Sequence, residues 1–226
     1  NADASIASST KAKEKLLAWG AKKESIFESL LTVDTVPFVK TEKAFGGNKI
    51  LYVGSMIPRK GVDLLLNALQ FVDVNYELRI VGNGSIEEVN ALKKQAKDLG
   101  IENKITWCGF QTGDALVEEY RQAAVFVLPT REDCFGLVLL EALSARTPIV
   151  ASKYADGAYD IVKNGVNGFI VDPEDGKTMG KAIESILKNI YLKKQFSDNC
   201  ISEISKFSFK EVSKGYVNAI KYVSEK

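Results

Sequence analysis

Residues 129–143 read PTREDCFGLVLLEAL and follow the apolar run AVFVL at 124–128. The apolar run predicts a buried strand, and the apolar periodicity from Gly136 predicts a helix that carries Glu141 on its second turn. Asp133 lies in the loop between them. Unpaired N–H groups and a partial positive charge make the start of such a helix an anion site. With a carboxylate on each side to accept hydrogen bonds from hydroxyl groups, the segment fits a nucleotide sugar.

Strands and helices are predicted to alternate on both sides of this segment. The predicted strands span 49–54, 76–82, 104–109, 124–129, 148–152 and 167–171, and the helices span 62–72, 85–100, 113–123, 136–145, 156–163, 176–189 and, last, 209–224. Such alternation implies parallel strands joined by right-handed crossovers. The expected fold class is therefore α/β, a doubly wound, Rossmann-like parallel sheet of about six strands. Its ligands should bind at the carboxyl ends of the strands.

Composition excludes several classes of protein. A net charge of +1 over 226 residues gives no reason to expect a nucleic-acid partner. Without histidine, the chain cannot supply a Ser-His-Asp triad, a His-ligated zinc site or a His general base. The three cysteines are scattered, and no long apolar run suggests a transmembrane segment. We therefore expect reduced thiols in a cytoplasmic protein that carries no His-ligated metal site.

The segment around Asp133 resembles the signature of retaining GT-B glycosyltransferases of family four, the glycosyl transferases group 1. Their motif runs E-G-F-G, a short apolar run and E-A; here the same frame begins at Asp133 and ends at Glu141-Ala142. Asp replaces the first Glu, and the neighbouring Glu132 is the alternative first acid. The resemblance implies the C-terminal half of a GT-B fold. It also implies a nucleotide diphosphate sugar donor, UDP- or GDP-linked, with no other cofactor.

The same resemblance assigns roles within the motif. Glu141 would bind the ribose hydroxyls, and Asp133 would bind hydroxyls of the transferred sugar. Backbone N–H groups of Phe135, Gly136 and Leu137 would meet the sugar and the phosphates. An isolated Asp at a loop-to-helix junction is ordinarily only an N-cap, but its combination with the Phe-Gly pair and Glu141 favours a binding site.

A second motif begins at Gly54-Ser55. The family pattern G-R-L-x-x-x-K-G uses its Arg and Lys to grip the donor diphosphate; here Lys60 matches the Lys, and Ser55 stands at the Arg position. Arg59 is the candidate to compensate for the missing Arg. A cation near a helix start is unfavourable without an anion, which favours a phosphate beside Lys60. The predicted catalytic residues are therefore Lys60, Asp133 and Glu141.

Two further loops resemble donor-site loops of the family. Gly82 and Gly84 belong to V-G-N-G, which is similar to the family's V-G-[DN]-G-P near the diphosphate and base. Gly109 and Phe110 follow the next strand, in the loop that would lie along the nucleobase. The neighbouring Trp107 is as well explained by a core position as by the site.

Residues 1–48 resemble the close of an N-terminal domain and its linker, with Asn1-Ala2 interpreted as a remnant of a tag, and 49–226 form the predicted donor-binding domain with C-terminal helices. The acceptor, a glycan or lipid-linked sugar, would bind through the preceding domain. We therefore expect this chain alone to bind nucleotide weakly and to transfer nothing. In the full-length protein, the expected location is the cytoplasm, at the membrane surface.

Three other functions fit parts of the pattern. One is a non-catalytic nucleotide-binding module, which the changes at Asp133 and Ser55 keep open. Another is a GT-B relative with different chemistry, such as a nucleotide-sugar epimerase or a glycogen phosphorylase-like enzyme. A dinucleotide-dependent dehydrogenase is disfavoured, because Glu87 stands where the third glycine of the fingerprint belongs. The favoured function is a glycosyltransferase of the hexosyltransferase type.

Overall fold

A parallel sheet of six strands forms the centre of the fold. The computed structural model describes residues 2–39, 43–45 and 47–225, so the interpretation of Asn1 lies outside the described residues. In chain order the elements are β1 (Ser5–Ala7), α1 (Thr10–Ala18), β2 (Ile26–Glu28), α2 (Val36–Val39), β3 (Lys49–Val53), α3 (Val62–Ala68), β4 (Glu77–Val81), α4 (Ile86–Asp98), β5 (Ile105–Gly109), α5 (Gly113–Gln122), β6 (Val125–Leu128), α6 (Leu137–Ser144), β7 (Ile149–Ser152), α7 (Ala158–Ile161), β8 (Gly168–Val171), α8 (Gly176–Lys188), α9 (Ile190–Ile204) and α10 (Phe209–Ser224).

The strand order in the sheet is β5-β4-β3-β6-β7-β8, and each adjacent pair is parallel. The direction of winding reverses between β3 and β6. Connections on the two sides of that point leave to opposite faces of the sheet, which opens a crevice at the carboxyl ends of the strands. The predicted α/β, doubly wound sheet is confirmed, and its switch point lies between β3 and β6.

Both faces of the sheet are covered by helices. Ile50 and Tyr52 pack into a cluster with α3, α4 and α8, whereas Leu51 packs into a second cluster with α5, α6 and α7. This alternation follows from the two-residue period of a strand. It also explains why the central strands are continuously apolar, since each full burial of a large apolar side chain contributes about 1.5–3 kcal/mol.

The six predicted strands of the sheet are confirmed within one residue at each end. Ser85 caps α4 in a capping box with Glu88, as its position at the helix start suggests. The helix predicted at 62–72 is shorter, since α3 ends at Ala68 and a 3-10 turn completes the segment. The short helix predicted at 156–163 is also shorter and consists of α7 alone.

The segment before β3 folds against the rest of the chain. β1 and β2 pair in parallel around α1 as a separate two-stranded sheet, and α10 packs against β2. Asp160 accepts a hydrogen bond from the backbone N–H of Thr10 at 3.0 Å, and Lys15 pairs with Asp156. β2 and α2 are three and four residues long, too short to give a periodic signal in the sequence.

Within the described ranges, no helix combines the length and the apolar character that crossing a membrane would require.

The ends of β3 and β4 come into direct backbone contact. Gly54 donates its N–H to Val81 O at 2.9 Å, and Gly82 donates its own to Gly109 O at 2.8 Å. Gly82 has a φ of +139°, and a Cβ added there would lie 1.9 Å from Gly54 O. No side chain fits between these two turns, so the loops after β3 and β4 lie in direct contact and form one continuous surface.

We expect Gly82→Ala to lower the free energy of unfolding by roughly 2–5 kcal/mol, because backbone strain and overpacking add at this site. Gly100→Ala is the matched control. Gly100 also has a positive φ, but a Cβ there meets no atom within 4 Å. It should cost roughly 1–2 kcal/mol, the penalty of the left-handed conformation alone. Urea unfolding of both variants tests this, and equal losses would contradict the close approach.

Candidate active site

Two adjoining cavities of about 500 and 380 Å³ lie at the switch point of the sheet. Both are lined by Val53, Gly54, Ser55 and Val138, so they form one continuous cleft. The loops after β3, β4, β5 and β6 supply its walls. A cleft of this size and position can take an extended ligand across the carboxyl ends of the strands.

The loop after β6 turns sharply into α6 at Gly136. Gly136 has a φ of +78°, and a Cβ there would lie 2.9 Å from a methyl group of Leu128. Asp133 Oδ1 accepts a hydrogen bond from Phe135 N at 3.1 Å, which fixes the loop just before the helix. The first N–H groups of α6 have no partner within the helix, and Gly136 and Leu137 line the smaller cavity. The helix start is therefore placed to bind an anion.

Lys60 reaches the other side of the same cavity and pairs with Asp133. The distance from Lys60 Nζ to Asp133 Oδ2 is 2.5 Å, and the side chains are only 18% and 13% exposed. An ion pair this shielded is less screened by solvent than a surface pair. Gly61, at a φ of +71°, brings this turn against the loop after β6, where a Cβ would lie 2.1 Å from Pro129 O.

Glu141 faces the larger cavity from α6 and is held by Tyr120 of α5. The Tyr120 hydroxyl donates to Glu141 Oε2 at 2.7 Å. Burial raises the pKa of Glu141, and the hydrogen bond from Tyr120 opposes that shift. Burial also raises the pKa of Tyr120 well above its ordinary value, so this tyrosine stays a donor at neutral pH. Oε1 of Glu141 has no hydrogen-bond partner among the described residues, which leaves an acceptor for a ligand.

The far wall of the larger cavity comes from the ends of β4 and β5. Gly82 and Asn83 line it on one side, and Phe110, Gln111 and Thr112 line it on the other. The Phe110 side chain is 69% exposed, which offers a flat apolar surface to a ligand. An aromatic ring and exposed backbone groups suit a nucleobase, which needs a stacking surface and polar contacts along its edge.

Most predicted site residues meet in this cleft. The residues of the resemblance that line it are Gly54, Ser55, Lys60, Gly82, Phe110, Asp133, Phe135, Gly136, Leu137 and Glu141. Phe135 is buried beneath the cleft, where its backbone, together with its ring, packs against Gly157. Glu132 lines a neighbouring cavity, which shares Asp133 and Cys134 with the cleft, but Glu132 does not line the cleft itself. Asp133 is therefore the first acid that faces the cleft together with Lys60.

Three predicted residues do not line the cleft, and their roles stay predictions. Arg59 is exposed and donates to Glu132 O at 3.0 Å, in the loop after β6. Gly84 packs against Met56, where a Cβ would lie 2.9 Å from the Met56 Cβ. Gly109 uses its carbonyl to accept from Gly82 N at 2.8 Å.

Trp107 packs against the core cluster beneath the sheet, which decides its role in favour of the core.

Sequence reasoning missed two features of the site. Tyr120 carries no motif, and only its place on the apolar face of α5 beside Val117 suggests burial. Its hydrogen bond to Glu141 forms only because α5 and α6 meet in the folded protein. Leu31, from the segment before β3, lines the smaller cavity and had no signal at all.

Among the residues that the structure describes, no group of three or more Cys, Asp or Glu is placed to hold a metal ion.

The chain resembles known proteins over the part of the sequence that forms the cleft. A model of the family described as "Glycosyl transferases group 1" matches residues 37–202. An uncharacterized glycosyltransferase of Methanocaldococcus jannaschii is 30% identical over 177 residues, which are 78% of this chain and 45% of that protein. The D-inositol 3-phosphate glycosyltransferase of Acidothermus cellulolyticus is 33% identical over 151 residues, 62% of this chain and 34% of the relative. The chain thus spans less than half the length of both relatives.

Solved structures share the fold over nearly the whole chain. The apo form of the lipopolysaccharide outer core galactosyltransferase WaaB has a TM-score of 0.85 and 25% identity, covering 100% of this chain and 63% of WaaB. The Anabaena protein HepE in complex with UDP has a TM-score of 0.87 and 21% identity, covering 97% of this chain and 64% of HepE. The sheet and its flanking helices therefore match a GT-B glycosyltransferase architecture.

Thiol reactivity should report on the openness of the smaller cavity. Of the three cysteines, Cys134 is exposed at the rim, Cys108 is half-buried and Cys200 is buried. Burial raises the pKa of Cys200 to about 12, so its thiolate fraction is lower by roughly a thousandfold. We expect one thiol of the native protein to react rapidly with N-ethylmaleimide at pH 7, and three after unfolding in urea.

Mass spectrometry of the alkylated peptides identifies the site. Cys134→Ser is the control and should abolish the rapid phase. Rapid labelling of Cys200 in the native state would contradict its burial between α9 and the rest of the fold.

Proposed function

This chain belongs to the glycosyl transferases group 1 family, and from that membership we propose that it is the donor-binding half of a retaining hexosyltransferase. The proposed enzyme transfers a sugar from a nucleotide diphosphate sugar to an acceptor hydroxyl and keeps the anomeric configuration. The observation that carries the proposal is the cleft at the switch point. It brings a shielded cation, a helix start and two carboxylates together in one place.

The proposed diphosphate lies between Lys60 and the start of α6. A leaving nucleoside diphosphate gains negative charge as the bond to the sugar breaks. The Lys60 ammonium and the N–H groups of Gly136 and Leu137 can stabilise this charge from fixed positions, which is where electrostatic catalysis is most effective. The ion pair with Asp133 already holds Lys60 in the cleft before any ligand arrives.

The two carboxylates then orient the rest of the donor. Glu141 accepts hydrogen bonds from the ribose hydroxyls, and Asp133 accepts from hydroxyls of the transferred sugar. The base occupies the wall formed by Gly82, Asn83 and Phe110. HepE was solved with UDP, and this supports a nucleoside diphosphate as the class of ligand. Bringing two reactants together costs translational and rotational entropy, which is a large part of the barrier in group transfer. Positioning of this kind removes that cost from the reaction step.

The acceptor side of the reaction is proposed to come from outside the described cleft. The chain covers 45% of its relative from M. jannaschii, and the acceptor glycan or lipid-linked sugar would bind to the remaining part of such a protein. The proposal includes no metal cofactor, as the family resemblance implies. A cytoplasmic location at the membrane surface stays a prediction.

Nucleotide binding to this chain tests the proposal. Calorimetric titration with UDP, GDP and ADP should show one preferred nucleotide. Glu141→Gln and Lys60→Met should each weaken that nucleotide by roughly ten- to hundredfold, because each removes a charge-assisted contact and keeps the side-chain volume. Lys94→Met is the matched control, since Lys94 pairs with Asp98 on the outer surface of α4 and its side chain is 77% exposed.

A second readout uses the chemistry of Cys134. The bound nucleotide should slow alkylation of this thiol, which lines the smaller cavity, and the slowing should be lost in Lys60→Met. Binding of no nucleotide at millimolar concentration would contradict the donor site. Binding that both Glu141→Gln and Lys60→Met leave unchanged would place the nucleotide elsewhere. Detectable sugar transfer by this chain alone would contradict its assignment as half of an enzyme.

A further inference from the structure

We propose that Tyr120 is a positioning residue for the ribose-binding carboxylate, and that the segment before β3 holds Tyr120 in place, so that docking of this segment sets the affinity for the donor ribose. The inference rests on the proposed function only for the identity of the ligand of Glu141. Its structural basis is a chain of contacts from the segment, through one buried side chain, to the cleft.

The first contact is the hydroxyl group of Tyr120. It donates to Glu141 Oε2 at 2.7 Å and lies 3.4 Å from Val138 O. Tyr120 is fully buried, so this hydrogen bond is shielded from water and its geometry is fixed by packing. With Oε2 held by Tyr120, the direction of the carboxylate is set by the tyrosine, and Oε1 keeps all its acceptor sites for a ligand. A carboxylate that rotated freely would lose orientation entropy on binding a diol.

The second contact holds the ring of Tyr120. Phe38 of α2 meets it edge to face, with ring centroids 5.6 Å apart and an interplanar angle of 82°. Phe126 of β6 packs against it with centroids 5.5 Å apart. Aromatic pairs in these arrangements contribute about 0.5–1.5 kcal/mol beyond their buried area. The ring is therefore clamped between the central sheet and the segment before β3.

The third contact holds the backbone of Tyr120. Lys43 Nζ donates to Tyr120 O at 2.8 Å, to Ala123 O at 2.5 Å and to Thr147 Oγ1 at 2.8 Å. Thr147 Oγ1 in turn donates to Tyr120 O at 2.8 Å. Burial lowers the pKa of Lys43 to about 7, and below that pH the ammonium group has three hydrogens, one for each of these acceptors. Lys43 is only 8% exposed, so it fastens the segment to the C-terminal turn of α5 from inside the protein.

These contacts link the segment before β3 to a residue of the cleft. Phe38 and Lys43 belong to the segment that joins the β1-α1-β2 unit to the sheet, whereas Glu141 belongs to the cleft. Tyr120 touches both, through its ring and carbonyl on one side and its hydroxyl on the other. If the segment were displaced, the ring and the carbonyl would lose their partners, and the hydroxyl would no longer fix Glu141.

The test compares a ribonucleotide with an analogue that lacks the hydroxyl groups. Calorimetric titration gives the affinity ratio of uridine diphosphate to its 2′,3′-dideoxy analogue, or of the guanosine pair if guanosine diphosphate binds the wild type better. Tyr120→Phe keeps the ring and removes the hydroxyl, and it should reduce this ratio by roughly fivefold. Lys43→Met removes the three donors from the segment and should reduce the ratio by roughly two- to threefold. Affinity for inorganic pyrophosphate should not change in either variant.

Tyr76→Phe is the matched control. Tyr76 is 5% exposed, and its hydroxyl has no hydrogen-bond partner among the residues that the structure describes. This variant should leave the ratio unchanged. A general loosening of the fold would instead weaken the nucleotide, the dideoxy analogue and pyrophosphate together, which is the result that a merely structural role of Tyr120 predicts.

A ligand-free measurement separates this inference from the proposed function. Carbon-13 NMR of the Glu141 carboxyl follows its titration, and Tyr120→Phe should raise the midpoint because the hydrogen bond lowers the pKa of Glu141. An unchanged midpoint and an unchanged affinity ratio in a folded Tyr120→Phe variant would overturn the positioning role. If Tyr120→Phe did not fold, an unchanged ratio in Lys43→Met would overturn it. A wild type that bound no nucleotide, with the midpoint still raised, would overturn the proposed function and the ribose assignment alone.

Discussion

The lateral pairing of β3 with β6 is the constraint on which the rest of the structure depends. Ile50 pairs with Val125 and Leu51 with Phe126, which joins the two halves of the sheet at the point where their connections diverge. The turns after both strands therefore lie side by side, and the start of α6 and the turn carrying Lys60 open into one cleft. Separate sequence motifs become one site because these two strands are neighbours.

The two acidic residues of the cleft have different hydrogen-bond and ion-pair partners. Asp133 is paired with a cation, whereas Glu141 is held by a neutral hydroxyl group. Two carboxyl groups in such unlike surroundings can serve unlike purposes, one exchanging partners when a charged ligand arrives and the other keeping a fixed direction. Burial raises the pKa of Glu141, so its full charge develops only as the pH rises past that raised value. Hydrogen bonds accepted by Glu141 should weaken at lower pH.

The sequence was sufficient for the parts of this fold that follow from short-range pattern. Apolar runs bounded by turns located the six strands, and the spacing from Asp133 to Glu141 located the carboxylates of the cleft. It was not sufficient where the surroundings of a residue come from distant parts of the chain. Arg59 has the right charge, yet its side chain turns to a backbone carbonyl of the loop after β6. Tyr120 has no distinctive sequence context, and its function arises only because α5, α6 and α2 converge on it.

The hydrogen bond that Asp160 accepts from Thr10 at the start of α1 has a consequence for the order of folding during synthesis. Thr10 finds its partner about 150 residues later in the chain, and β2 packs against α10 at the far end. At ribosomal rates of 5–20 residues per second, the β1-α1-β2 unit would wait roughly 10–40 s for α10 to be made. Its strands are three residues each, too short to hold together alone. The β1-α1-β2 unit therefore completes its packing only after the last helix, α10, has been made.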